Sequence, residues 1–156
     1  MRRKDREITD NNKINKVIAD CHCCRLGFLD GKQVYIVPLN FGYEEKEGHK
    51  IFYFHAAKEG RKIELIKDNP SVGFELDANY KLNEGNEACE YSAGFQSIIG
   101  TGRVDFIETV EEKRYALQRI MLHNTGKKEW KISDEMIETV AVFKLEVDEL
   151  SCKEHK

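Results

Sequence analysis

The chain has 156 residues, 40% of them hydrophobic, and a formal net charge of −3 at neutral pH. That is one domain's length with enough apolar residues for a core, and the acidic balance argues against nucleic acid or anionic membrane as a main partner, because phosphate-backbone binding needs a basic surface. No apolar run approaches the roughly 18–20 residues that cross a bilayer, and the basic start is followed by no signal-like apolar segment, so a cytoplasmic protein with one domain over 1–156 is expected.

Residues 1–8 read as a polar leader. Thr9 stands where it can cap a helix in which Ile14, Val17, Ile18 and Cys21 recur at helical spacing, one apolar stripe facing a core. Cys21, Cys23 and Cys24 with His22 among them invite a metal. No second CxxC or HxxxH half accompanies them, and on a strand Cys23 and Cys24 point to opposite faces, so reduced packing thiols are the expected reading. Leu26 and Phe28 alternate as a strand up to Asp30-Gly31, a strong hairpin signal, and Gln33–Phe41 returns. Pro38 cannot donate to a ladder, which puts this strand at an edge or a bulge and frees backbone groups there for a ligand. Gly42–Gly48 is expected as a polar turn. Ile51–Ala56 is the next strand, with Ile51, Tyr53 and His55 on one face.

The turn that follows is unusual for a helix start. Unpaired backbone N–H groups make that end positive and normally attract Asp or Glu, whereas here Lys58, Arg61 and Lys62 crowd it beside Gly60. One reading is an anion site, where a phosphate or carboxylate neutralises the cations and Gly60 lets it approach the backbone. The other is a solvated charge face in which Glu59 and Glu64 pair locally at roughly 0.2–0.5 kcal/mol each. Spacing alone leaves both open. The helix ends near Asn69, since Pro70 disfavours α geometry in the residue before it.

Ser71–Asp77 reads as a strand with Val72, Phe74 and Leu76 on one face. After a polar stretch through Asn86, Glu90–Glu108 is a long strand whose Gly100 and Gly102 permit curvature or close contact. Thr109 and Glu112 have capping-box spacing before a helix with Ala116, Leu117, Ile120 and Met121 as its stripe and Gly126 as its stop. His123 is placed to meet the terminal carbonyls of that helix, and Trp130, the only tryptophan, lies in a polar loop, where it either covers a ligand or anchors the loop. Ser133 caps a short turn, Thr139–Val147 is the last strand, and 149–156 is a polar tail. These elements predict a mainly β fold with flanking α: an antiparallel barrel of about six strands with helices outside.

Three runs carry a specific resemblance: CRLGFLDGKQVYIVPLNFGY (Cys24–Tyr43), YFHAAKEGRKIELIKDNP (Tyr53–Pro70) and FQSIIGTGRV (Phe95–Val104). In order and spacing they resemble the pyridoxamine 5′-phosphate oxidase superfamily, and within it the nitroimidazole-resistance branch. The resemblance implies an FMN-binding split β-barrel acting as a homodimer with flavin at the subunit interface. It further implies that Gly60, Arg61 and Lys62, with Lys58 beside them, hold the FMN phosphate. Val37, Pro38, Leu39 and Asn40 would run along the isoalloxazine ring, Gln96 and Ser97 would contact it, and His55 would lie close to the flavin as the catalytic residue. Where that branch often has Arg before the serine, this chain has Gln96. Without the resemblance His55 reads as a core histidine, Asn40 as a turn residue and Gln96 as a solvent-facing strand residue. Two functions follow: an FMN-dependent oxidoreductase acting on a small electron-poor molecule such as a 5-nitroimidazole, or a flavin- or haem-binding barrel without turnover. The apolar Val140, Val142 and Phe143 are the expected surplus surface for a dimer.

Overall fold

A computed structural model describes residues 3–156, so Met1 and Arg2 of the expected leader lie outside the described residues. The strands are β1 (Glu7–Ile8), β2 (Cys24–Asp30), β3 (Gln33–Leu39), β4 (Gly42–Lys46), β5 (His49–Ala57), β6 (Ser71–Asn83), β7 (Ser92–Phe106) and β8 (Val140–His155). The helices are α1 (Asn11–Asp20), α2 (Arg61–Asp68), α3 (Val110–Thr125) and α4 (Asp134–Glu138). All ladders are antiparallel in the order β3-β2-β6-β7-β8-β5-β4, with β1 added to β8. The two ends of that path do not pair with each other, so the sheet forms a split barrel rather than a closed one.

Local chemistry accounts for most boundaries. Asp10 rather than Thr9 caps α1, its carboxylate accepting the Lys13 N–H at 2.8 Å, and Ile14, Val17, Ile18 and Cys21 are buried as their spacing requires. The β2–β3 hairpin turns through Gly31-Lys32, and β3 is an edge strand, which is where a ladder tolerates Pro38. Val72, Phe74 and Leu76 of β6 are buried beneath β7. At Gly100 an added Cβ would lie 2.4 Å from the Phe74 ring, and at Gly102 2.3 Å from the Glu146 carbonyl oxygen, so both glycines mark close contact where β7 and β8 shift register. Thr109 accepts the Glu112 N–H, and the Glu112 carboxylate accepts a hydrogen bond from the Thr109 hydroxyl rather than from its backbone N–H. Gly126 ends α3 in the left-handed region, and Ser133 caps α4.

Other expectations are corrected or refined. Gly42–Lys46 is a strand, not a turn; as the last strand of the path it has one partner, and only that side needs β-forming neighbours. Residues 149–155 of the expected polar tail continue β8 along β7, with Leu150 and Cys152 turned inward between polar neighbours. β1 and β4 bring the six strands read from the sequence to eight. Finally, Val142 and Phe143 are 1% and 0% exposed within one chain, Phe143 lying 5.3 Å from the Phe54 ring, so of the three residues expected as surplus apolar surface only Val140 is partly exposed. Large exposed apolar residues gather elsewhere, on the outer face of β2, β3 and β7: Leu29, Val34, Ile36 and Ile99 are all more than half exposed.

Candidate functional site

β5 delivers His55 and then, six residues later, the start of α2. Gly60 holds φ 129° and ψ 169°, a conformation open only to glycine, with nothing within 4 Å of where a Cβ would stand. No side chain caps this end; Ile63 and Glu64 are the first residues whose N–H groups reach back to the Gly60 carbonyl, leaving the Arg61 and Lys62 N–H groups without an intrahelical partner. The local pairing of Glu59 or Glu64 with the cations does not occur among the described residues. Arg61 instead donates to Asp30 Oδ2, its Nε at 2.8 Å, and its guanidinium stands 5.3 Å over the Tyr35 ring. Lys58 and Lys62 have no ion-pair partner among the described residues. The α2 end is thus docked on the β2–β3 hairpin with one cation fixed, two available and its amides open, which suits a phosphate group.

The strand that reaches Tyr35 continues through Val37–Asn40. Val37 and Leu39 turn inward and pack on the core, Pro38 faces outward, and Asn40 donates its side-chain N–H to the His22 carbonyl at 3.0 Å. Because β3 is an edge, this stretch can present backbone N–H and C=O groups, rather than side chains, to a planar ligand.

His55 is exposed at the mouth of a groove of about 610 Å³ lined by Leu117, Ile120 and Met121 of α3, Trp130, Met136 of α4 and Val140. Lys131 and Glu135 also line it. Sequence reading supplied His55 and the α3 stripe but not Met136 or the position of Trp130; the one available signal was that the chain's only tryptophan sits in a polar segment. Two residues before His55, Tyr53 and the α3 residue Tyr115 both donate to Glu44, at 2.6 and 2.5 Å. Burial pushes the Glu44 carboxyl up, but the hydrogen bonds from Tyr115 and Tyr53 outweigh it and hold its pKa below the usual value.

Gln96 and Ser97 are not brought to His55 within one chain. Gln96 pairs with Glu154 across β8 and His55 with Val142, about a dozen residues apart, on the order of 40 Å of strand. Gln96 is half-buried: it accepts from Asn79 and donates to Glu154, both at 2.6 Å, in an open polar cleft beside α1. Ser97 points to the other face, its hydroxyl buried without a partner. His123 misses its own helix carbonyls; its Nε2 donates to the Cys21 carbonyl at 2.8 Å and its ring lies 4.3 Å from that of Phe41. Burial lowers its pKa and raises that of the Cys21 thiol to about 12.

A model of the pyridoxamine 5′-phosphate oxidase family matches residues 10–154. The chain belongs to this family. Among solved structures, the fold is similar to that of a candidate 5-nitroimidazole antibiotic resistance protein from Bacteroides thetaiotaomicron, with 36% identity, a TM-score of 0.81, and coverage of 94% of this chain and 85% of that one. The flavocytochrome Anf3 from Azotobacter vinelandii matches at 18% identity and TM-score 0.80, over 100% of this chain and 72% of that one. An FAD- and haem-binding protein from Mycobacterium smegmatis matches at 12% identity and TM-score 0.83, over 97% and 74%. No curated protein matches. Within the family fold, then, this chain pairs a basic, uncapped helix start with an apolar groove that opens on His55.

Proposed function

We propose that the protein is an FMN-dependent oxidoreductase that reduces a small, electron-poor organic molecule, with the nitro group of a 5-nitroimidazole as its test substrate. The observation that carries this is the open helix end at Gly60-Arg61-Lys62, a few residues along the chain from the His55 groove, at most about 20 Å by chain length. Arg61, Lys62 and Lys58 would hold the phosphate with the free α2 amides, and the β3 backbone at 37–40 would line the ring. FMN, when bound, supplies the electrons. His55 can donate a hydrogen bond or a proton to the substrate, and the apolar walls of the groove exclude water; nitro reduction consumes protons along with electrons. The 36%-identical relative named for 5-nitroimidazole resistance supports the choice of test substrate.

A homodimer with flavin at the subunit interface is part of the proposal. It is supported by the exposed outer-face residues Leu29, Val34, Ile36 and Ile99, and by the separation of Gln96 and Ser97 from His55, which a second copy can bridge. The five free cysteines fit a reducing, cytoplasmic setting. Among the described residues no helix is long and apolar enough to cross a membrane.

The test is to reduce the bound flavin chemically and mix it anaerobically with a 5-nitroimidazole, comparing wild type with His55→Ala at matched occupancy. Reoxidation should slow by on the order of 10²-fold in the variant, the low end of general-acid contributions. Equal rates would make His55 structural. Reoxidation no faster than that of free reduced FMN would reject turnover and leave the cofactor-binding reading, and a Soret band in the purified protein would move that reading to haem.

A further inference from the structure

α3 uses two adjacent faces for different purposes. Leu117, Ile120 and Met121 line the His55 groove, while Arg114 and Gln118, one helical turn apart, reach over to the segment between α3 and α4. Gln118 Oε1 accepts the Trp130 N–H at 3.1 Å and its Nε2 donates to the Trp130 carbonyl, so one side-chain amide satisfies both backbone groups of a single residue, as a neighbouring strand would. Arg114 holds the next stretch through the Ile132 carbonyl and Asp134. The indole N–H of Trp130 is satisfied locally by the Lys127 carbonyl at 3.2 Å, leaving the ring as a wall of the groove. The segment has no strand or helix of its own over residues 127–133, so these side-chain bonds are what fix the position of that wall.

We infer that Gln118 is a positioning residue that sets Trp130 against His55, and that the site so formed selects flat, uncharged aromatic ligands. This rests on the reading of the groove as the substrate site. Selection against charge follows from the lining: the walls are mainly Leu, Ile, Met, Val and Trp, the polar residues besides His55 are Thr139, Lys131 and Glu135, and an anion there would lose hydration while meeting the Glu135 carboxylate as well as Lys131. An indole and two thioethers, from Met121 and Met136, favour a polarisable ring.

Because Trp130 is the only tryptophan, its fluorescence reports the wall directly. The experiment titrates 2-methyl-5-nitroimidazole and the anionic 4-nitrobenzoate into the protein at fixed flavin occupancy and follows Trp130 quenching, in wild type, Gln118→Met and Gln118→Glu. Wild type should bind the neutral probe and discriminate against the anion. Gln118→Met, which keeps length and helix propensity but loses both bonds, should red-shift the emission, lower its anisotropy and weaken the neutral probe about tenfold, roughly one net hydrogen-bond pair. Gln118→Glu retains only the acceptor and should fall between. Quenching in wild type with unchanged emission and affinity in both variants would overturn the role of Gln118 alone. Absence of quenching in wild type would overturn the substrate groove and this inference with it.

Discussion

At the start of α3, Thr109 accepts a backbone N–H and Glu111 and Glu112 supply negative charge, whereas α2 starts at Gly60 with no side-chain cap and three cations nearby. The first end is complete in itself: its dipole is met by carboxylates and one of its open amides by a hydroxyl. The second is left unsatisfied by the chain that forms it. Asp30 meets Arg61, but the first α2 amides keep no intrahelical partner, and under the proposed function a phosphate supplies their acceptors and the charge facing Lys58 and Lys62.

The contrast breaks most visibly at Arg61. Arg61→Ala should weaken FMN by about 10–100-fold and riboflavin by less than about twofold, because only FMN carries the dianion, as read by flavin titration of apoprotein. Equal losses would remove Arg61 from the phosphate site, leaving it as the exposed partner of Asp30, a pairing of little value to stability. Lys62→Ala should follow the same pattern more weakly, since an ammonium is a point charge. At the other helix the effect should reverse: Thr109→Ala should cost about 1 kcal/mol in denaturant unfolding and leave flavin affinity unchanged. The smallest effect lies at the far end of α3, where burial holds the His123 pKa below its unfolded value. Its contribution to stability is fully present above the unfolded pKa and is lost as pH falls through the folded one, so a His123→Gln variant should show a flatter decline in stability on acidification than wild type.

Much of the fold was legible because each element has one strong local cause: the stripe of α1, the Asp30-Gly31 turn, Gly60 before α2, Pro70 after it, and Gly126 after α3. What failed failed for a common reason. β4 and the second half of β8 carry Glu44, Glu45, Glu149 and Glu154, and polarity at single positions does not disclose whether a neighbouring strand exists. The site divided likewise. The basic cluster stood out by violating helix-end electrostatics, whereas His55 was supplied by the family resemblance, since its place on an aromatic strand reads as a core histidine. Its groove was illegible, because Trp130 and Met136 reach it through a segment without regular structure held by Gln118 and Arg114, bonds between residues that no periodicity links. The same limit hid Asp30 as the partner of Arg61.

β8 is the only strand that joins β3-β2-β6-β7 to β5-β4 through hydrogen-bonded ladders, and it comes last in chain order among the described elements. Synthesis must therefore reach residue 155 before the two halves of the sheet can be joined along their full length. Until then β7 and β5 each expose an unpaired edge, which leaves the growing chain open to wrong strand pairing until β8 has been made.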